Sequence, residues 1–230
     1  MREQTWIVDP ATGDLVVEGL TAEEVPALAG YLLAPGRSLN CARPLVSLPL
    51  PDPTASPGPT LRVARLYHGS VVDGPGRQSV CQVQGCALAC PGCSLASTHS
   101  TDGGIALDVD TVVDILLDVT GEPRDGITVT GGEPLQQPMG LLALFHRLKA
   151  HRVHIVVYTG YTLEALARRP EPEIREALAL IDLLIDGPFV ARLADGAGEW
   201  RGSRNQRVIP HPAELLKSGQ PHRQEDRQWT

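Results

Sequence analysis

From residue 61 to residue 209 short apolar runs alternate with helical patterns, and this alternation limits the fold more than any other feature of the chain. LRVARLYH (61–68), SVCQVQG (79–85), ITVT (127–130), VHIVVYTG (153–160), IDLLIDGPF (181–189) and RVI (207–209) have the length and residue types of strands. Between them lie DVDTVVDILLDVT (108–120), PMGLLALFHRLKAHR (138–152), TLEALARR (162–169) and EIREALAL (173–180). The first of these spaces Val109, Val112, Val113, Leu116 and Leu117 along one helical face. Pro170 and Pro172 interrupt the last two. A β-α series buries its strands as a parallel sheet under covering helices. Right-handed crossovers lay those strands side by side, as a sheet or as part of a barrel. Ligand loops then sit at the carboxyl ends of the strands. GCALACPGC (85–93), TGGEP (130–134) and YTGYT (158–162) fall there.

Residues 1–60 differ in texture. TWIVDP and DLVVEGL read as a short β-hairpin across ATGD. TAEEVPALAGYLLA offers a Thr21–Glu24 capping box for a short helix. PLPDPTASPGPT (49–60) is dense in proline and reads as an extended linker. The expected division is a small α+β extension over 1–48, the linker over 49–60, a β-α domain over 61–210 and a polar tail over 211–230. The 230 residues support one sizeable core and a small appendage. A hydrophobic share of 42% and a charged share of 20% are those of an ordinary soluble domain. The net charge of -7 argues against a nucleic-acid surface. The N-terminus has no apolar signal core, and no run approaches the ~18 apolar residues of a membrane span. The expectation is a cytoplasmic protein that binds neither membrane nor nucleic acid. In that compartment clustered cysteines act as ligands or catalysts rather than as disulfides.

Cys86, Cys90 and Cys93 form C-x3-C-x2-C within one loop. A structural zinc site wants four ligands, and His99 is the one residue placed to complete a Cys3His set. Cys81 and Cys86 begin a plant-type ferredoxin pattern, which the Cys86–Cys90 spacing breaks. Cys81 sits in a strand and reads as a small buried residue; Cys41 reads as a plain thiol. The remaining reading is a [4Fe-4S] cluster with three protein thiolates. That leaves one iron open, and an open position is a place to bind and react. Pro91 and Gly92 suit a tight wrap around it. A non-enzymatic iron–sulfur or zinc module for electron transfer or sensing is the alternative class.

C-x3-C-x2-C after an early strand of a β-α series, with GGEP after the next, resembles the radical S-adenosylmethionine enzymes. VVDGPG (71–76), CPGC (90–93), TVTGGEPL (128–135), VYTGYTLEAL (157–166), LLIDGPFV (183–190) and WRGSRNQRVI (200–209) narrow the likeness. Over roughly residues 62–210 the chain is similar to the activating-protein family of anaerobic ribonucleotide reductase, a glycyl radical enzyme activase family. The resemblance implies an α/β fold of a particular kind, a partial (incomplete) TIM-type β/α barrel with parallel strands, here with a small N-terminal extension. It implies a [4Fe-4S] cluster on Cys86, Cys90 and Cys93. It implies reductive cleavage of S-adenosyl-L-methionine to a 5'-deoxyadenosyl radical, which takes hydrogen from a glycine of a partner enzyme.

By the same resemblance Gly131, Gly132 and Glu133 receive the methionine end, the Glu133 carboxylate facing an ammonium. Gly92 and Ser94 flank the adenine side, and Thr159 lines the pocket. DGPG (73–76) is a turn near the cluster mouth, and Gln78 stands where the family usually has arginine. Asp186 is a candidate for touching the site. Arg204, Asn205 and Arg207 are candidate donors to the cofactor carboxylate or to a partner segment. The implied partners are a glycyl radical enzyme and a flavodoxin- or ferredoxin-type electron donor. No catalytic acid or base is singled out. The first 60 residues have no counterpart in a minimal activase. They motivate a second function, a radical S-adenosylmethionine enzyme that modifies a peptide or small molecule in a biosynthetic pathway.

Overall fold

The computed structural model describes residues 58–117 and 124–218, together with the backbone of residues 5–8 and 15–18. The helix expected after Thr21, Cys41, the linker over 49–57 and the tail beyond 218 lie outside the described residues. The strands are β1 (Thr5–Val8), β2 (Leu15–Glu18), β3 (Thr60–Ser70), β4 (Gln78–Val83), β5 (Ile105–Asp108), β6 (Gly126–Gly131), β7 (Ile155–Tyr158), β8 (Leu183–Asp186) and β9 (Arg207–Pro210). The helices are α1 (Val109–Leu117), α2 (Pro138–Ala150), α3 (Leu163–Ala167), α4 (Pro172–Leu180) and α5 (Pro212–Ser218).

All nine strands join one mixed sheet in the order β2-β1-β3-β4-β6-β7-β8-β9, with β5 paired to β3. β4, β6, β7 and β8 are parallel, as the alternation predicts, because a helix lies in each connection between them. β3 and β4 are antiparallel instead. Residues 71–77 between them are too few for a crossover, so the chain can only fold back. β9 likewise returns antiparallel to β8. The hairpin expected across ATGD forms as β1 and β2, and β1 pairs with β3 at Arg65–Tyr67. β5, not anticipated from sequence, pairs with the earlier part of β3 from Thr60 to Val63. The sheet is open: among the described residues no pairing joins β9 to the far end.

Strand alternation divides the core between the two faces. Ile155, Val157 and Leu184 belong to the large cluster that includes Leu141, Leu144, Phe145 and Leu148 of α2 and Val112 and Leu116 of α1. Val156, Leu183 and Ile185 form a second cluster with Tyr158, Trp200 and Val208. α2 sits tight on β3, since a Cβ at Gly140 would strike the Thr60 carbonyl. Pro172 starts α4 rather than breaking it, because the first turn needs no amide donor from that residue. The Thr162 hydroxyl caps α3 by accepting from the Ala165 amide at 3.2 Å. Residues 212–218, within the stretch expected as tail, form α5, whose Leu215 packs on the main core. Among the described residues no helix is long and apolar enough to cross a membrane.

Candidate functional site

The carboxyl ends of β4, β6, β7 and β8 share one edge of the sheet, and a cavity of about 370 Å³ opens there. That is the size of a small-molecule site. Cys86, Cys90 and Cys93 line it, as do Ser94, the Gly131–Glu133 turn and Thr159. Gly92 stands just behind the lining. Its φ is +78°, and a Cβ there would lie 3.2 Å from Ala191 and 3.9 Å from the Phe189 ring.

The cysteine loop is wrapped by its own backbone. Cys86 N–H donates to His99 O at 3.0 Å, Gly85 N–H to Thr98 O at 2.8 Å and Cys93 N–H to Cys90 O at 3.1 Å. Ala89 and Gly92 take left-handed φ values of +42° and +78°, which make the wrap tight. The Leu95 amide lies 3.4 Å from Cys93 Sγ, a donor aimed at a prospective thiolate. All three thiols are free of disulfides. His99 lines the same cavity, yet among the described residues no three His, Cys, Asp or Glu side chains converge to hold a single ion. One zinc ion needs such convergence. A cubane cluster does not, because each thiolate meets a different iron. Three free thiols lining one cavity are a donor set that fits such a cluster. Cys81 is fully buried on β4, and burial pushes its thiol up to about 12.

The glycines of GGEP are required by the chain's own backbone. Gly131 has a φ of +98°, and a Cβ there would come 2.6 Å from Val83 N. A Cβ at Gly132 would strike the Gly85 carbonyl. Their bareness lets the end of β6 lie against the root of the cysteine loop. Gly132 N–H donates to Val83 O at 2.7 Å and Glu133 N–H to Gly85 O at 2.8 Å.

Glu133 is only 1% exposed. Its Oε1 accepts from Leu135 N–H at 3.0 Å and from the Thr159 hydroxyl at 2.9 Å, and its Oε2 accepts from Gly160 N–H at 2.8 Å. That uses three of roughly four carboxylate lone-pair positions and ties the GGEP turn to the YTGY turn. Burial pushes the Glu133 carboxyl up to about 7, against the pull of those donors. Gly160 also makes room for the cysteine loop, since a Cβ there would strike Leu88.

Besides Gly92, four expected site residues lie outside the cavity lining. Asp186 is fully buried. It accepts from Arg207 Nε at 2.8 Å, from Arg207 Nη2 and from Leu163 N–H at 2.7 Å. Arg207 also reaches Glu164 at 2.9 and 2.8 Å and holds that carboxyl down to about 2. Arg204 Nη1 donates to Asp195 O at 2.6 Å and Asn205 Nδ2 to Pro188 O at 2.7 Å. Gln206, also buried, clamps the same segment. Its Oε1 accepts from Gly202 N–H at 2.7 Å and Ser203 N–H at 3.1 Å, and its Nε2 donates to Gly187 O at 3.0 Å.

The motif WRGSRNQ thus presents Trp200, Arg201 and Gln206 to the cavity rather than Arg204, Asn205 and Arg207. Asp73, Tyr158 and Phe189 line it too. These three side chains lie within the sequence motifs, but sequence reasoning assigns them no role. Asp73 accepts from the Tyr67 hydroxyl at 2.8 Å and the Ser70 hydroxyl at 2.5 Å. The Thr128 hydroxyl donates to Asp73 O at 2.7 Å, and the buried Gln78 amide donates to Pro75 O. Gln78 therefore holds the DGPG turn from inside. Burial, then Asp73, pushes the Tyr158 phenol far up, so it stays protonated.

The sequence profile of the 4Fe-4S single cluster domain family matches residues 72–209. A relative from Salmonella typhi is 36% identical over 157 residues, which is 66% of this chain and 99% of that protein. One from Escherichia coli (strain K12) is 36% identical over 152 residues, 63% of this chain and 95% of its own. One from Enterobacteria phage T4 is 30% identical over 148 residues, 63% of this chain and 90% of its own. All three are named anaerobic ribonucleoside-triphosphate reductase-activating protein.

Proposed function

We propose that this chain, which belongs to the anaerobic ribonucleoside-triphosphate reductase-activating protein family, is a radical S-adenosylmethionine enzyme that installs a glycyl radical on a partner reductase. One observation carries the reading. Three free thiols and the GGEP and YTGY turns share a single cavity at the carboxyl edge of four parallel strands.

Cys86, Cys90 and Cys93 hold a [4Fe-4S] cluster. When bound, that cluster supplies one electron for cleavage of S-adenosylmethionine to methionine and a 5'-deoxyadenosyl radical, which takes hydrogen from a glycine of the partner. The protein's own part is to bind, orient and exclude water. The Gly131–Glu133 turn receives the methionine end, and Thr159 fixes the Glu133 carboxylate. Gly92 and Ser94 flank the adenine. Leu88, Tyr158 and Phe189 give apolar walls. Val72 of the lining and its chain neighbour Val71, 72% and 65% exposed, offer an apolar face to the partner's glycine segment. A flavodoxin- or ferredoxin-type protein delivers the electron in the cytoplasm. The open sheet, with α1 and α2 packed on one face, is read as an incomplete β/α barrel.

A second reading keeps the same cluster chemistry and changes the acceptor to a peptide or small molecule. It is favoured by the β1–β2 hairpin, which extends the sheet upstream of residues 72–209.

The test is anaerobic reconstitution with iron and sulfide, reduction, and addition of S-adenosylmethionine with an anaerobic ribonucleotide reductase. The expected result is 5'-deoxyadenosine and a glycyl radical resonance on the reductase, both lost in Cys90→Ala. Cleavage with no radical on the reductase favours the second acceptor. An intact four-iron cluster that never cleaves S-adenosylmethionine overturns both readings.

A further inference from the structure

We propose that Phe189 is a seal that keeps water from the Cys90–Cys93 end of the cavity, and that Ser203, Asn205 and Gln206 are positioning residues that hold its ring there; the assignment rests on the cluster reading above. The turn that carries two of the three thiols is poorly covered by its own chain. Between Cys90 and Cys93 stand only Pro91 and Gly92, and both are exposed. Phe189, on the turn after β8, is half-buried and lines the same cavity. A Cβ at Gly92 would lie 3.9 Å from Cε1 of its ring, and a Cβ at Gly202 would lie 3.2 Å from Cδ2. Cε1 and Cδ2 are opposite corners of a phenyl ring. The ring therefore spans the gap between the cysteine loop and the segment after Trp200, with bare backbone at each end.

Three side chains of that segment hold the turn. Gln206 Nε2 donates to Gly187 O at 3.0 Å, and Asn205 Nδ2 donates to Pro188 O at 2.7 Å. Val190 N–H donates to Ser203 Oγ at 3.1 Å. These contacts fall on the two residues before Phe189 and on the one after it. Fixing the backbone on both sides sets where the side chain between them points. Ser203 and Gln206 are buried, and Gln206 Oε1 also accepts from the Gly202 and Ser203 amides. One segment thus fixes the backbone around the ring and supplies the glycine at its far edge.

An apolar shell limits the water that reaches a metal cluster and so shifts its potential. One-electron reduction adds a negative charge, which water stabilises and a hydrocarbon wall does not. A phenyl ring at this edge therefore keeps the potential low, as reductive cleavage of a sulfonium requires.

The experiment uses the reconstituted holoprotein without S-adenosylmethionine. Two quantities are read on the reduced cluster. One is the reduction potential, from electron paramagnetic resonance of samples poised at set potentials. The other is the deuterium modulation that heavy water imposes on the spin echo. Phe189→Ala is expected to deepen the modulation and to raise the potential. Phe189→Leu is expected to restore part of both. Asn205 is exposed, so Asn205→Ala loosens the turn without stranding a buried group. It is expected to move both readings in the same direction by less, and it carries the test if Phe189→Ala fails to load iron. Because Asn205 acts through the ring, adding Asn205→Ala to Phe189→Ala is expected to change nothing further.

A four-iron Phe189→Ala protein with wild-type modulation and potential overturns the assignment; if it also binds S-adenosylmethionine more weakly in equilibrium dialysis, the ring is a wall for the ligand instead. A further change in the double variant overturns the positioning role of Asn205. Wild-type protein that assembles no four-iron cluster overturns the functional reading, and this assignment with it.

Discussion

Burial withdraws water from the Glu133 carboxylate and raises its pKa from an ordinary 4.5 to about 7, although two amides and the Thr159 hydroxyl favour the charged form. The folded value lies above the unfolded one, so protonation favours the fold. This group's contribution to stability is therefore complete below pH 4.5 and lost as the pH rises through about 7. We expect a protonated-carboxyl infrared band that titrates near pH 7 and is missing from Glu133→Gln. The stability difference between the two proteins should change across the same window. A band already lost by the time the pH has risen to 5 would show that the three donors outweigh burial. Glu133 was legible as a candidate site residue because GGEP is a motif. Its burial was not, because the amide that holds Oε2 belongs to Gly160, on the turn after the next strand. The same limit applies to Arg201. Which side chains of WRGSRNQ reach the cavity depends on the backbone reversal at Trp200, and nothing in the order of letters marks a left-handed tryptophan.

Between elements, a buried polar joint links Asp186 at the end of β8 with Arg207 of β9 and, through it, Glu164 of α3. Asp186 is fully buried, so removing its cation leaves a charge that, among the described residues, keeps only the Leu163 amide as a hydrogen-bond donor. Arg207→Met should cost about 3–5 kcal/mol in denaturant unfolding. Adding Asp186→Asn should return part of that loss, because the uncompensated charge goes with it. A single-variant loss well under about 1 kcal/mol would place the joint among ordinary surface pairs. Elements with strong periodicity were legible. The α1 pattern is visible in Val109, Val112, Val113 and Leu116, and all four are buried. Strand direction was legible only where a helix intervenes, as from β6 to β7. Where residues 71–77 alone connect β3 to β4, the parallel expectation gives way to an antiparallel pair. β5 escaped notice because IALD has only four residues, and its strand character comes from pairing with β3.

At the scale of the whole molecule, the question is what the chain outside the family match contributes. The profile match begins at residue 72, and the Salmonella typhi relative is aligned over 99% of its length to 66% of this chain. Among the described residues the cavity lining runs from Val72 to Gln206, within the family match. What β1 does is cover the edge of β3 at Arg65, Leu66 and Tyr67. An uncovered edge is a row of unpaired backbone groups that recruits another strand. The Tyr67 hydroxyl would still hold Asp73, since that bond is made within residues 58–218. A variant lacking residues 1–57 should therefore still load iron and, on the function proposed above, still cleave S-adenosylmethionine. It should self-associate at concentrations where the full chain does not, as read by light scattering. A charge introduced on the β3 edge should suppress that association without altering the cluster. Loss of iron on truncation would instead make the extension part of the site's own support, and its role would then be stability rather than the recognition of a partner.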